Sequence, residues 1–269
     1  LGSLAVNNTY SGLVLRDEKI INADHSGYIN YYARENEKVA KGSMIYTVDA
    51  TGKLADLVNG AAGEGSSLSD EDLSELKTSI ADFSTGFDVK NFRKTYDFKY
   101  EIEGTVLKLA NYKVLSSLDS LDHSNLSDSV QFGYAPESGV LVYSVDGYES
   151  VTVDYLTPEL MDFSSYTKTQ FHSNDLIADT DPAYKLITSE NWSLMIEIDE
   201  ERALELENET YINVKFLKNG YESWGACNII RQDGVIYLKL DFTNSMISFA
   251  TDRILEVELM TNTQEGLKI

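Results

Sequence analysis

One cysteine, three prolines and three histidines are all that this chain of 269 residues contains of each, and each scarcity removes something. With Cys227 alone, neither an internal disulfide nor a thiol metal cluster can form. That fits a cytosolic chain, and equally an extracytoplasmic one from a bacterium that does without disulfides. His25, His123 and His172 lie in different segments, and none has a partner at the i, i+4 spacing of a helical zinc pair. No G-x-S-x-G elbow, phosphate-cradling glycine loop or dinucleotide fingerprint occurs. No apolar run reaches the ~18 residues needed to span a bilayer, and Leu1-Gly-Ser-Leu lacks the basic and apolar regions of a signal peptide. Basic residues are also scarce, 22 against 44 acidic, for a net charge of −22. Such a chain repels phosphate backbones and anionic lipid surfaces, which excludes a nucleic-acid partner. Carboxylates are so abundant that choosing any pair for acid–base work is uninformative. A glycan-active enzyme would need two of them about 5–10 Å apart. No catalytic residue, cofactor site or metal ligand is therefore assigned.

What is present is β-like and internally repeated. Hydrophobic content of 42% supports real cores, and 17 tyrosines suit half-buried strands and edges. Ala23-Asp-His-Ser-Gly-Tyr-Ile-Asn-Tyr31 is echoed by Ala135-Pro-Glu-Ser-Gly-Val-Leu-Val-Tyr143. Val39-Ala-Lys-Gly-Ser-Met-Ile-Tyr-Thr-Val48 is echoed by Ile177-Ala-Asp-Thr-Asp-Pro-Ala-Tyr-Lys-Leu186. The two pairs keep the same order, as if one small β module had been written twice and then separated. Before the first copy, residues 10–22 read as two short β runs around a charged turn.

Between the copies the texture becomes helical. Ser69 is placed to cap a helix, with Asp72 at the capping-box position. Leu73, Leu76, Ile80, Phe83 and Phe87 follow at spacings of 3, 4, 3 and 4, an apolar seam. Gly86 breaks it and Asp88 caps a second helix. That helix runs from Val89 through Leu121 without proline, about 50 Å long, with Gly104 in its middle. Two seamed helices at a tight break predict an antiparallel hairpin. They would also serve as core elements of an α+β domain, although the second is longer than a small sandwich covers. After the second copy, with residues 157–174 as a small insertion, the texture from Asn191 onward is β throughout. Turn pairs at Asn219-Gly220 and Asp233-Gly234 predict a compact β-barrel. The fold class is mainly β, a split barrel-sandwich carrying an inserted helical hairpin and followed by a barrel. Expected divisions are 10–50, 51–130, 131–190 and 191–269.

This order of pieces resembles the HlyD-like membrane fusion proteins, adaptor subunits of bacterial efflux pumps and type I secretion systems. Ser26-Gly27 with Glu37-Lys-Val-Ala-Lys-Gly42 resembles the first lipoyl-like half. Pro136-Glu-Ser-Gly139-Val and Asp146-Gly147-Tyr-Glu149 resemble the start of the second, and Gly266-Leu-Lys-Ile269 the segment leading to a membrane-proximal domain. The likeness covers residues 10–269, and its specificity lies in the order of weak motifs.

The resemblance implies a non-catalytic extracytoplasmic adaptor that links an inner transporter to export across the cell envelope. It implies self-association, and a membrane anchor and a last domain outside this sequence. The abrupt end at Ile269 is expected to belong to a longer protein. Partner contact is expected at the hairpin tip, at Thr85, Gly86, Phe87 and Asp88. Two departures shape that expectation. Lys41 and Lys53 lack the flanks of a carrier lysine, which disfavours a swinging-arm cofactor. Arg93 is followed by Tyr100 where docking hairpins have leucine; that and the short first arm suit a Gram-positive envelope. The alternative is an envelope scaffold or binding module of the same fold without a transporter.

Overall fold

The computed structural model describes residues 9–54 and 129–260, with Lys77, Ile80, Ala81 and Ser84 as separate helical positions. The expected hairpin and its tip at Thr85, Gly86, Phe87 and Asp88 otherwise lie outside the described residues. In chain order the elements are β1 (Thr9–Asn22), β2 (Gly27–Tyr31), β3 (Lys38–Val39), β4 (Met44–Asp49), β5 (Val130–Tyr134), β6 (Gly139–Val142) and β7 (Ser144–Val145). There follow β8 (Thr169–Gln170), β9 (Leu176–Ile177), β10 (Pro182–Ile198), α1 (Glu200–Leu206), β11 (Tyr211–Phe216), β12 (Glu222–Gln232), β13 (Val235–Phe242) and β14 (Ile254–Met260). The chain divides into two units, one of residues 20–143 and 170–186, the other of residues 1–19, 144–169 and 187–269.

In the first of these units the sequence repeat is a structural repeat. Gly27 and Gly139 each open a strand, and each strand pairs with the other copy: Gly27 with Ile177, and Gly139 with Val39. The turns match bond for bond. Gly42 N–H donates to Ala135 O and Thr180 N–H to Ala23 O, at 2.8 and 2.9 Å. Lys41 N–H donates to Ser138 Oγ, and Asp179 N–H to Ser26 Oγ. Gly42 and Thr180 both take positive φ, as do the matched Asn36 and Asn174. The copies thus interlock, and the core draws on both: Ile29, Tyr31, Ile45, Tyr46 and Val48 pack with Leu141, Tyr143, Ala183, Tyr184 and Leu186. The repeated Tyr31 and Tyr143 lie with ring centroids 4.2 Å apart. Their hydroxyls donate to Ala183 O and Ala33 O, so two large rings enter the core with no polar atom stranded. The second sheet of this unit is ordered β5-β4-β2-β9.

In the other unit β1-β14-β11-β12-β13-β10 follow one another, and β1 also pairs with β10, closing a ring of six strands. Inside, Trp192 stacks on Phe242 at 4.5 Å, and Phe216 meets Phe249 at 4.5 Å. Outside, 3₁₀ turns at Val153–Tyr155, Pro158–Met161 and Phe163–Ser165 form a covering segment. Its Leu156, together with Leu13, Leu15, Met195 and Tyr237, makes a second apolar cluster.

Two expectations are corrected here. Residues 10–22 are not two runs around a charged turn but parts of one 14-residue strand, β1. Arg16 and Glu18 point to the same side and bury their side chains, 1% and 0% exposed, while Asp17 and Lys19 face solvent. The region after Asn191 is not β throughout, because α1 intervenes. Asp199 accepts the Arg202 N–H, Glu200 and Glu201 sit at the positive end of the dipole, and Ala203 and Leu206 are buried.

Candidate functional site

Strand β4 ends at Asp49, and β5 begins at Val130, its direct antiparallel partner. Ala50 N–H donates to Ser129 O at 3.1 Å. Residues 51–128 therefore leave and return at one point, as a β-hairpin loop would, only far longer than the ordinary two to five residues. This insertion point is the candidate functional site.

Asp49 starts the excursion. Its carboxylate accepts from Thr51 N–H at 2.8 Å, Thr51 Oγ1 at 2.8 Å and Leu54 N–H at 2.7 Å. Helical backbone begins at Lys53, so Asp49 caps a helix start, and Leu54 is buried at 1% exposure. Burial pushes the carboxyl's pKa up, but the hydrogen bonds from Leu54 and Thr51 outweigh it and hold the group below its ordinary value. Gly52 has φ of 71° and lies on the Tyr28 ring, where a Cβ would sit 3.1 Å from Cε2. Both the left-handed backbone and the close ring call for glycine here.

On the same face of the sheet, Thr47 and Asn30 are opposite partners and both are buried. The Tyr32 hydroxyl and Thr47 Oγ1 lie 2.8 Å apart. Burial drives the Tyr32 pKa up, with the Thr47 bond a smaller opposing effect. Around this polar centre Tyr28, Phe132 and Leu176 stay exposed at 40, 45 and 73%.

The other unit holds a buried ion cluster. Arg253 bonds Asp146 Oδ2 at 2.9 Å, Val14 O at 2.9 Å and Glu18. Arg16 bonds Glu18 Oε1 at 2.6 Å and Phe249 O at 2.8 Å. Burial lowers the Arg16 pKa; for Arg253 the neighbouring carboxylates outweigh burial and raise it. The Tyr166 hydroxyl donates to Asp146 at 3.1 Å and Arg253 lies 5.8 Å from the Tyr148 ring centroid, so the cluster ties the covering segment to β1 and β14. Two arginines against two carboxylates leave it near neutral, the condition for burying such groups.

Of the residues singled out in sequence, Ser26-Gly27 meets Asp179 and Ile177 of the second copy, and Ser138-Gly139 meets Lys41 and Val39 of the first. Asp146 of the Asp-Gly-Tyr-Glu turn enters the ion cluster. Lys41 and Lys53 are exposed, as is His25; His172 Nδ1 lies 3.5 Å from Asp175. Among the described residues no three His, Cys, Asp or Glu side chains gather closely enough to hold a metal ion. Burial pushes the Cys227 thiol pKa up. Asp49 and the Arg16, Glu18 and Arg253 cluster were missed. Asp49-Ala-Thr, an Asx-type start, and the Arg-x-Glu alternation were their available signals.

The family described as "RND related, barrel-sandwich hybrid domain" matches residues 18–187. A search of curated proteins finds no match. Among solved structures, the chain is similar to ZneB from Cupriavidus metallidurans at 11% identity and TM-score 0.44, covering 94% of this chain and 98% of that one. It is similar to the periplasmic adaptor protein EmrA at 15% identity and TM-score 0.44, covering 94% and 97%. To the membrane fusion protein Spr0693 from Streptococcus pneumoniae R6 the figures are 13% identity, TM-score 0.33, and 95% and 99% coverage. With the family match extending over both copies of the repeat and everything between them, this chain belongs to the RND-related barrel-sandwich hybrid family.

Proposed function

We propose that the chain is a non-catalytic, extracytoplasmic adaptor that links an inner transporter to export across the cell envelope. The observation that carries this reading is the insertion point. Residues 51–128 leave and return at the paired Asp49 and Val130, on a sandwich whose two halves interlock through a shared core. An interlocked two-copy base suits the holding of an inserted arm. In this reading the arm makes partner contact at Thr85, Gly86, Phe87 and Asp88. Copies of the chain associate side by side, and an anchor outside this sequence holds them at the membrane.

Affinity purification of the full-length protein from its own membranes tests this. Co-purification of a transporter, lost when Phe87 is replaced by Asp, is the expected result. A strict monomer at near-physiological salt with no membrane partner overturns it in favour of an envelope scaffold of the same fold.

A further inference from the structure

The ring of six strands treats its outer side unevenly. Over β1, β10 and β13 the covering segment buries Leu13, Leu15, Met195 and Tyr237. Over β14, β11 and β12, Trp224 remains 61% exposed, Tyr211 56% and Met260 44%. Strand register places the three together. Asn213 on β11 is opposite Trp224 on β12 and Met260 on β14. Tyr211, two residues before Asn213, is the diagonal neighbour of Trp224, a spacing of about 7–8 Å. In the next row Lys215 stands between Glu222 and Glu258.

At the centre of this row the Asn213 amide is poorly satisfied. Its nitrogen has only long contacts, 3.4 Å to Glu222 Oε2 and 3.8 Å to Met260 Sδ. Its Oδ1 is buried and has no hydrogen-bond partner. An unpaired amide oxygen is something folds normally eliminate. One kept directly across from the exposed Trp224 marks an amide that a ligand both donating and accepting would satisfy.

We infer that this face is a saccharide-binding platform, with Trp224 and Tyr211 as the stacking surface and Asn213 and Glu222 as hydroxyl partners. A pyranose ring presents C–H bonds on one face, which suit the negative face of an aromatic ring. Its rim presents hydroxyls that donate and accept, which suit an amide and a carboxylate. Other occupants fit less well. β14, β11 and β12 are flanked on both sides, so no strand edge is open to an added peptide strand. The net charge of −22 repels anionic glycans and anionic lipid, so the ligand is neutral or amino-bearing. The platform does not depend on the adaptor reading.

The probes are neutral hexasaccharides of glucose and of N-acetylglucosamine, and the amino-bearing glucosamine hexamer. Because Trp192 is buried and Trp224 exposed, a saturable change in tryptophan emission on titration reports the platform. Calorimetry then compares variants. Trp224→Ala and Asn213→Ala each weaken binding at least about tenfold, while Trp224→Phe retains much of it. Tyr155→Ala, at a residue 75% exposed elsewhere, leaves it unchanged. Unaltered Trp192 emission shows that the Trp224 variants fold. Absence of saturable binding by every probe overturns the proposal, as does equal binding by folded Trp224→Ala. Should Trp224→Ala instead dissolve a self-associated species, the occupant is a second copy and the saccharide assignment falls.

Discussion

Asp49 shows how much one carboxylate carries. It meets three donors within 2.8 Å and is 1% exposed. Replacing it with Ala strands the Leu54 and Thr51 N–H groups and should cost about 1–3 kcal/mol of unfolding free energy, read by urea denaturation. Its pKa is depressed in the fold, so the stabilisation is complete above the unfolded value of 3.8 and is lost as pH falls through the lower folded value. Between neutral and strongly acid pH, wild type should therefore lose more stability than Asp49→Asn; parallel curves would refute the assignment. Gly133 is a second such residue, at the register shift between β4 and β5. A Cβ there would lie 2.1 Å from Tyr46 Cε1, and Tyr46 is 4% exposed. Gly133→Ala should destabilise by about 1–3 kcal/mol through overpacking, whereas unchanged stability would mean that Tyr46 can move aside. At this scale Ser26-Gly27 and Ser138-Gly139 were readable because a repeat announces itself. Asn213 and Gly133 were not, since the need at each comes from neighbours on other strands.

Elements were legible where their period was clean. The alternation of β11 and the turn pairs after it are visible in sequence because one side of each strand is buried and the other wet. β1 was read as broken because Arg16 and Glu18 look like surface residues until Arg253, 235 positions beyond Glu18, supplies the partner. α1 was lost among strands although Asp199-Glu-Glu is a helix start, its seven residues being too few for a period to show. The ion cluster is the element-scale feature most open to test. Arg253→Met takes the arginine from buried Asp146, leaves Glu18 with Arg16 alone, and should cost about 3–5 kcal/mol. Hydrogen exchange should then show amides of residues 148–166 losing protection along with those of β1. Arg231→Ala removes an exposed pair with Glu200, 47% and 59% exposed, and should change stability by about 1 kcal/mol or less. Equal effects of the two substitutions would mean that the cluster does not hold the covering segment.

Over the whole molecule the dominating quantity is charge. Every copy carries −22, so side-by-side association of the kind proposed must overcome mutual repulsion through surfaces poorer in charge than the average. Screening decides how much of that repulsion is felt. The Debye length falls from about 30 Å at 0.01 M salt to about 8 Å at 0.15 M, from the scale of a domain to that of a side-chain contact. Assembly should therefore tighten as salt rises over that range, with the dissociation constant falling. An interface held by opposite charges would show the reverse. Analytical ultracentrifugation of the chain at a series of salt concentrations distinguishes the two. Loosening with salt would place the contact on opposite charges that meet between copies. Tightening would place it on uncharged surface, and Phe132→Ser or Leu176→Ser, on exposed positions of the β5-β4-β2-β9 sheet, should then weaken it. A monomer at every salt concentration would remove self-association from the proposed function and leave the insertion point to act as a single arm.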